Sequence, residues 1–114
     1  MKVYENYLGD DLPFFLKLYR QYVLLDGDLQ FDDGLEIITL PGHSPGSQGV
    51  VVDTENGKVI IAGDLISVKE GWDLRLPCGI FTSTEDCYRS FAKMERYHAL
   101  VLGSHDYTTF ELLK

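Results

Sequence analysis

The chain has 114 residues, 45% of them hydrophobic and 25% charged, with a formal net charge of −8. That size suits one domain, 1–114, which buries roughly two-thirds of its unfolded surface in a single core. Strong acidity without any Lys/Arg cluster argues against nucleic acid and anionic membrane surfaces as partners, since both need a basic footprint.

No apolar run approaches the roughly 18 residues of a membrane span. The stretch Met1–Asn6 lacks the apolar segment of a secretory signal, so a cytoplasmic location is expected. Cys78 and Cys87 fit no CxxC pattern. Free structural thiols in a reducing compartment are expected, with a disulfide or a thiolate ligand as the alternatives.

In chain order, Asp11 can cap a first helix with Pro13 near its start. Phe14, Phe15, Leu18, Tyr19 and Tyr22 then recur at helical spacing. Tyr22–Leu25 reads as a short strand and Asp26-Gly27-Asp28 as a turn. Asp26, Asp28, Asp32 and Asp33 do not have the alternate spacing of a calcium loop and are expected to be solvated turn residues. Leu35–Leu40 is the next strand. A loop dense in Gly and Pro follows it, Pro41-Gly42-His43-Ser44-Pro45-Gly46, too constrained for a helix.

Val50–Val52 and Lys58–Ala62 read as two strands joined at Glu55-Asn56-Gly57, whose Asn-Gly pair is a strong hairpin signal. Their continuous apolar character predicts burial on both faces. Residues 64–83 are irregular, and Trp72 and Phe81 there either line a pocket or pin the loop to the core. Ser83 and Asp86 have the spacing of a capping box, which predicts a helix to about Tyr97 with Cys87, Tyr88, Phe91 and Met94 as its apolar stripe. Ala99–Leu102 is the last strand, and Thr108–Lys114 reads as a terminal helical turn.

Three residues able to bind metal stand just past strand ends in glycine-containing turns: His43, Asp64 and His105. Neighbouring strands of one sheet would bring these turns to one edge, where open sheets place their sites. Two imidazoles and a carboxylate suit a divalent metal such as zinc, which in catalytic sites takes three protein ligands and leaves a fourth position open. His98, by contrast, falls at a helix end, where a cation is favoured for structural reasons.

Leu40-Pro41-Gly42-His43-Ser44-Pro45-Gly46-Ser47, Ile61-Ala62-Gly63-Asp64-Leu65 and Leu102-Gly103-Ser104-His105-Asp106 resemble the third, fourth and fifth motifs of the metallo-β-lactamase superfamily. The wording is most similar to the N-acyl homoserine lactonase branch, including Asp26-Gly27-Asp28 and Glu55-Asn56-Gly57-Lys58. The similarity runs from about residue 22 to 107. It implies an α/β (α+β) fold, half of the family's αβ/βα sandwich, with a mixed sheet and helices on one face. It further implies that His43 is a ligand of one zinc, Asp64 a bridge between two, and His105 a ligand of the second, in a hydrolase of lactone or ester bonds.

The family's first signature, His-x-His-x-Asp-His, is absent: the three histidines are His43, His98 and His105. The chain resembles the C-terminal half alone, so the zinc site is expected to be partial, and weak or empty. Such a half leaves the inner face of its sheet open, with Val50, Val52, Val59 and Ile61 as candidates for that face. A homodimer or a complementary N-terminal half chain is the expected partner, with a small ester or lactone as substrate. A non-catalytic dimerising or ligand-binding module is the alternative.

Overall fold

A computed structural model describes Leu18 and residues 21–112. The helix expected from Asp11 lies outside the described residues.

Five strands form one sheet in chain order: β1 (Leu29–Asp32), β2 (Leu35–Thr39), β3 (Gln48–Thr54), β4 (Gly57–Ile61) and β5 (Leu100–Leu102). The first three pairings are antiparallel and β4–β5 is parallel, so the sheet is mixed. Helices α1 (Lys69–Asp73) and α2 (Thr84–Glu95) lie in the crossover between β4 and β5, and α3 (Thr109–Leu112) ends the described chain. A parallel neighbour requires such a crossover, and its length is what places α1 and α2 against the sheet.

The β3–β4 hairpin falls where Asn56-Gly57 predicts it, with Thr54 opposite Gly57. Its positive φ is on Gly57, at 111°, while Glu55 and Asn56 stay at negative φ. Glu55 and Asn56 form a two-residue loop, and the register behind it runs without a shift, with glycine taking the positive φ just after the tip.

Tyr22–Leu25 is not a strand but exposed chain without regular structure, with Leu24 91% exposed. The first strand is instead Leu29–Asp32, within the acidic stretch expected to be turns. It is exposed along its whole length and irregular between Gln30 and Asp32. Asp28 is also more than a solvated turn residue. Its Oδ1 accepts from the Thr39 N–H at 2.8 Å, the Thr39 hydroxyl at 3.0 Å and Lys93 Nζ at 2.6 Å. Lys93 Nζ also donates to the Thr39 carbonyl at 2.9 Å, which fastens α2 to the β1–β2 hairpin.

Alternation along the strands assigns Ile38, Val51, Ile60 and Val101 to one face, and α2 covers it with Cys87, Phe91 and Met94. Ser83 begins the helix as the capping box predicts, its Oγ accepting from the Asp86 N–H at 3.1 Å. The helix stops at Glu95, two residues short of the expected end. Tyr88 is not part of the buried stripe: it is 49% exposed and meets Phe91 edge to face. Trp72 also packs edge to face on Phe91, with centroids 6.0 Å apart, so it pins its loop to the core.

The opposite face differs from the two-sided burial expected of β3 and β4. Register aligns Leu35, Val52, Val59 and Leu100 in one cross-strand row. It aligns Leu29, Ile37, Val50, Ile61 and Leu102 in a second. The described helices contribute their buried residues to the other face, and Ile61 is 49% exposed. The continuous apolar runs reflect two different apolar faces, of which α1 and α2 cover one.

Removing Lys93 strips three acceptors, Asp28 Oδ1 and the Thr39 carbonyl and hydroxyl, of their charged donor. Lys93→Ala is expected to lower stability by about 1–3 kcal/mol, measured by urea denaturation. Burial alone would raise the Asp28 carboxyl, but the Lys93 and Thr39 hydrogen bonds and the Lys93 charge hold it below its ordinary 3.8. Its contribution is therefore whole above pH 3.8 and is lost as pH falls through the lowered folded value. The stability gap between the natural chain and Asp28→Asn should close over that acid range and stay constant above it.

Candidate metal centre

The C-terminal ends of β2, β4 and β5 share one edge, because β2 and β4 both run antiparallel to β3 and β5 runs parallel to β4. The turns that follow these ends carry His43, Asp64 and His105 to the same place, as the sequence pattern predicts. With Cys78, they border a cavity of about 380 Å³ open to solvent.

The His43 turn is seated on α2 by close backbone contact. Gly42 has φ 145°, and a Cβ there would lie 2.6 Å from Cys87 Sγ and 2.9 Å from the Cys87 backbone nitrogen. Its carbonyl accepts from the Thr82 N–H at 2.8 Å and the Thr82 hydroxyl at 3.1 Å. The buried Ser90 hydroxyl donates to the Pro41 carbonyl at 2.7 Å. Both cysteines are free and buried. Cys87 is the surface on which the turn rests, and the Cys78 thiol donates to the Ile80 carbonyl at 3.0 Å. Burial raises both thiols above their ordinary value, which disfavours the thiolate that a metal would need.

His43 Nδ1 lies 2.7 Å from the Ile80 carbonyl. A carbonyl only accepts, so Nδ1 carries the proton and Nε2 presents its lone pair. That Nε2 is 3.8 Å from Asp64 Oδ2. On the other side, His105 Nε2 lies 3.0 Å from Asp64 Oδ1, which also accepts from the Ser104 hydroxyl at 2.8 Å. The Ser104 hydrogen bond, with His105 and His43 assisting against some desolvation, holds the Asp64 carboxyl below its ordinary 3.8. It is ionised at neutral pH and able to act as a ligand.

The three side chains meet around the Asp64 carboxylate. Among the described residues no group of three His, Cys, Asp or Glu side chains is arranged to hold one metal ion. The reason is geometric: the two imidazoles face different oxygens of Asp64. These residue types suit a divalent metal, and each imidazole makes a pair with one carboxylate oxygen. Zinc ordinarily takes three or four protein ligands, so neither pair is a closed site.

Four other residues fall elsewhere. Tyr107 is 99% exposed, and neither it nor Tyr88 borders the cavity. Phe81 is also exposed. His98 lies past α2 in the left-handed region, at φ 49°, away from the trio. Sequence reasoning missed the Ile80 carbonyl, a backbone atom with no motif, while Cys78 is the free thiol expected. It also gave Ser104 no defined role.

Residues 1–105 match the sequence profile of the metallo-beta-lactamase superfamily. The chain belongs to that superfamily. It is 33% identical over 63 residues to an N-acyl homoserine lactonase of Bacillus cereus, covering 54% of this chain and 25% of that protein. It is 32% identical over 84 residues to the N-acyl homoserine lactonase AttM of Rhizobium radiobacter, covering 69% of this chain and 32% of that one. The chain thus spans between a quarter and a third of these relatives' length. It superposes with a TM-score of 0.69 and 22% identity on an N-acyl homoserine lactone hydrolase solved with N-hexanoyl-L-homoserine at its catalytic metal center. That match covers 82% of this chain and 39% of that structure. A probable metal-dependent hydrolase of Staphylococcus aureus superposes with a TM-score of 0.65 at 16% identity, over 76% of this chain and 33% of that one. At these identities the structural likeness establishes the fold, the αβ half with its mixed sheet.

The Gly42 contact makes a paired prediction. Gly42→Ala places a methyl into the Cys87 backbone and is expected to cost about 2 kcal/mol or more. Gly46→Ala, where a Cβ meets nothing within 4 Å, should leave the melting temperature nearly unchanged. Thermal denaturation followed by circular dichroism distinguishes the two.

Proposed function

We propose that this chain supplies His43, Asp64 and His105 to a dinuclear zinc centre of a hydrolase acting on lactone or ester carbonyls. The centre's remaining donors come from polypeptide outside these 114 residues. The observation that carries this reading is the division of the two imidazoles between the two oxygens of Asp64, in a chain of the metallo-beta-lactamase superfamily. Similarity to N-acyl homoserine lactonases supports the lactone class.

Each residue has a defined part. The Ile80 carbonyl fixes the His43 tautomer and leaves Nε2 free to ligate. Ser104 orients Asp64 by its hydrogen bond to Oδ1. His105 Nε2 donates to that same oxygen, and to hold a metal through that nitrogen it would have to release this proton to solvent. Zinc, when bound, supplies Lewis acidity and lowers the pKa of water to near 7. The cavity of about 380 Å³ admits a small ester or lactone.

A second reading shares the same fold: a non-catalytic module that pairs through its apolar sheet face. The two cross-strand rows around Val50, Val52, Val59 and Ile61 favour it, because monomers rarely expose contiguous apolar surface of that extent. Either a second copy or a complementary half chain covers the face under this reading, and a cytoplasmic protein is expected.

Metal analysis after equilibration with micromolar zinc is expected to give less than one ion held tightly per chain, with further loss in His43→Ala. The same metal content in the natural chain and that variant would overturn the assignment of His43. The 114-residue chain alone is expected to hydrolyse N-acyl homoserine lactones at no more than background rate in a pH-indicator assay. Sedimentation should show a dimer that Ile61→Lys dissociates without unfolding. A stable monomer at micromolar concentration would sink the self-pairing reading.

A further inference from the structure

We propose that Asp106 is the positioning residue of the His105 turn: its carboxylate fixes the segment that aims His105 and Ser104 at Asp64. The proposal rests on the reading of His105 and Asp64 as metal donors given above.

The turn has no helix or strand of its own to hold it. His105 is 70% exposed at its side chain, and Tyr107 beyond it is almost wholly exposed. Such a segment is normally free to take many conformations, each with a different imidazole direction. Here it is laid against residues 66–69. The Ser104 N–H donates to the Ile66 carbonyl at 2.9 Å and the His105 N–H to the Ser67 carbonyl at 2.9 Å. This approach is close: a Cβ on Gly103 would meet the Ser67 carbonyl oxygen at 2.6 Å.

Asp106 closes the arrangement from the far side. Its Oδ2 accepts from the Lys69 N–H at 2.8 Å, thirty-seven residues away. Its Oδ1 accepts from the Thr108 N–H at 2.8 Å and the Thr108 hydroxyl at 2.6 Å. One carboxylate thereby joins the start of α1 to Thr108, just past the His105 turn. Val68 caps α1 without a side-chain hydrogen bond, so Asp106 supplies the acceptor that the helix start lacks.

Geometry connects this tether to the site. Ser104 and His105 immediately precede Asp106, and both place a hydrogen-bonding atom on Asp64 Oδ1, at 2.8 and 3.0 Å. Releasing the turn frees both at once, while His43 keeps its separate support from Ile80 and Gly42. Loss of Asp106 therefore selects one of the two donor pairs. A group that orients a metal ligand typically changes metal affinity about 10- to 100-fold.

The test compares Asp106→Ala, Asp106→Asn, His105→Ala and His43→Ala in the same 114-residue chain, with zinc affinity from competition against a chromophoric chelator. It adds imidazole nitrogen NMR of the metal-free protein and circular dichroism to confirm folding. Asp106→Ala should weaken zinc about 10-fold or more and shift the His105 ring resonances, leaving those of His43 in place. Asp106→Asn keeps the Oδ1 acceptor and should fall between the two. If Asp106→Ala remains folded with unchanged His105 resonances and zinc affinity, the positioning role is wrong. If His105→Ala and His43→Ala also bind zinc like the natural chain, it is the metal reading that fails. If Asp106→Ala does not fold, Thr108→Val, which removes one of the three donors, carries the same ring-resonance comparison.

Discussion

The close seating of Gly42 on the start of α2 is the contact on which core and site both depend. Gly42 at φ 145° brings its backbone against Cys87, where no side chain fits between them. That approach lets the Gly42 carbonyl meet Thr82 and the Pro41 carbonyl meet Ser90. The same seating sets the depth at which Phe91 and Met94 enter the core beside Ile38, Val51 and Ile60. Burying a side chain such as Phe91 contributes on the order of 3 kcal/mol, so a helix lifted by one methyl loses more than the local clash. The segment between Cys78 and Ser83 is held by the same contact, and the Ile80 carbonyl within it orients His43. Packing and ligand orientation are thus one constraint seen from two sides.

A sheet covered on one face by helices explains much of the remainder. Two-residue periodicity sends alternate side chains to opposite faces, and here both sets are apolar over β2, β3 and β4. One set meets α2. The other forms two cross-strand rows, one over five strands from Leu29 to Leu102 and one over four from Leu35 to Leu100. Rows in such register gather apolar residues side by side rather than scattering them. A surface of that kind lowers its free energy by covering itself, whether with more of a longer polypeptide or with another chain.

What the sequence made legible follows the range of each signal. The Asn56-Gly57 hairpin, the Ser83 cap and the glycine-rich turns after β2, β4 and β5 are local, and each lies where its residues predict. His43, Asp64 and His105 were readable because strand ends in one sheet converge by topology. The failures have physical causes. Tyr22–Leu25 is apolar but finds no sheet edge, whereas Leu29–Asp32 pairs through its backbone and shows no burial pattern to read. A run of valines and isoleucines cannot say whether both of its faces are covered, since that depends on elements elsewhere. Asp28 with Lys93 and Asp106 with Lys69 join residues far apart in the chain, and nothing in the local spacing of either partner announces the other.

The arrangement around Asp64 bears on what the chain can do by itself. A carboxylate with one imidazole at each oxygen divides its donors between two positions, and zinc affinity rises steeply with the number of preorganised ligands at each. On the dinuclear reading proposed above, two donors per position would leave much of the coordination to water and would keep binding weak. The division also has a consequence for assembly. On the proposed reading, donors brought to the Asp64 edge by other polypeptide would serve both positions, since Asp64 stands between the two imidazoles. The sheet edge that carries the site is continuous with the apolar rows, since Ile61 and Leu102 are the last strand residues before Asp64 and His105. A surface that covers the rows therefore reaches the donors without further rearrangement of this chain. On the proposed reading, burial of the apolar face and completion of the metal positions would be coupled: polypeptide supplying the first would lie next to the second.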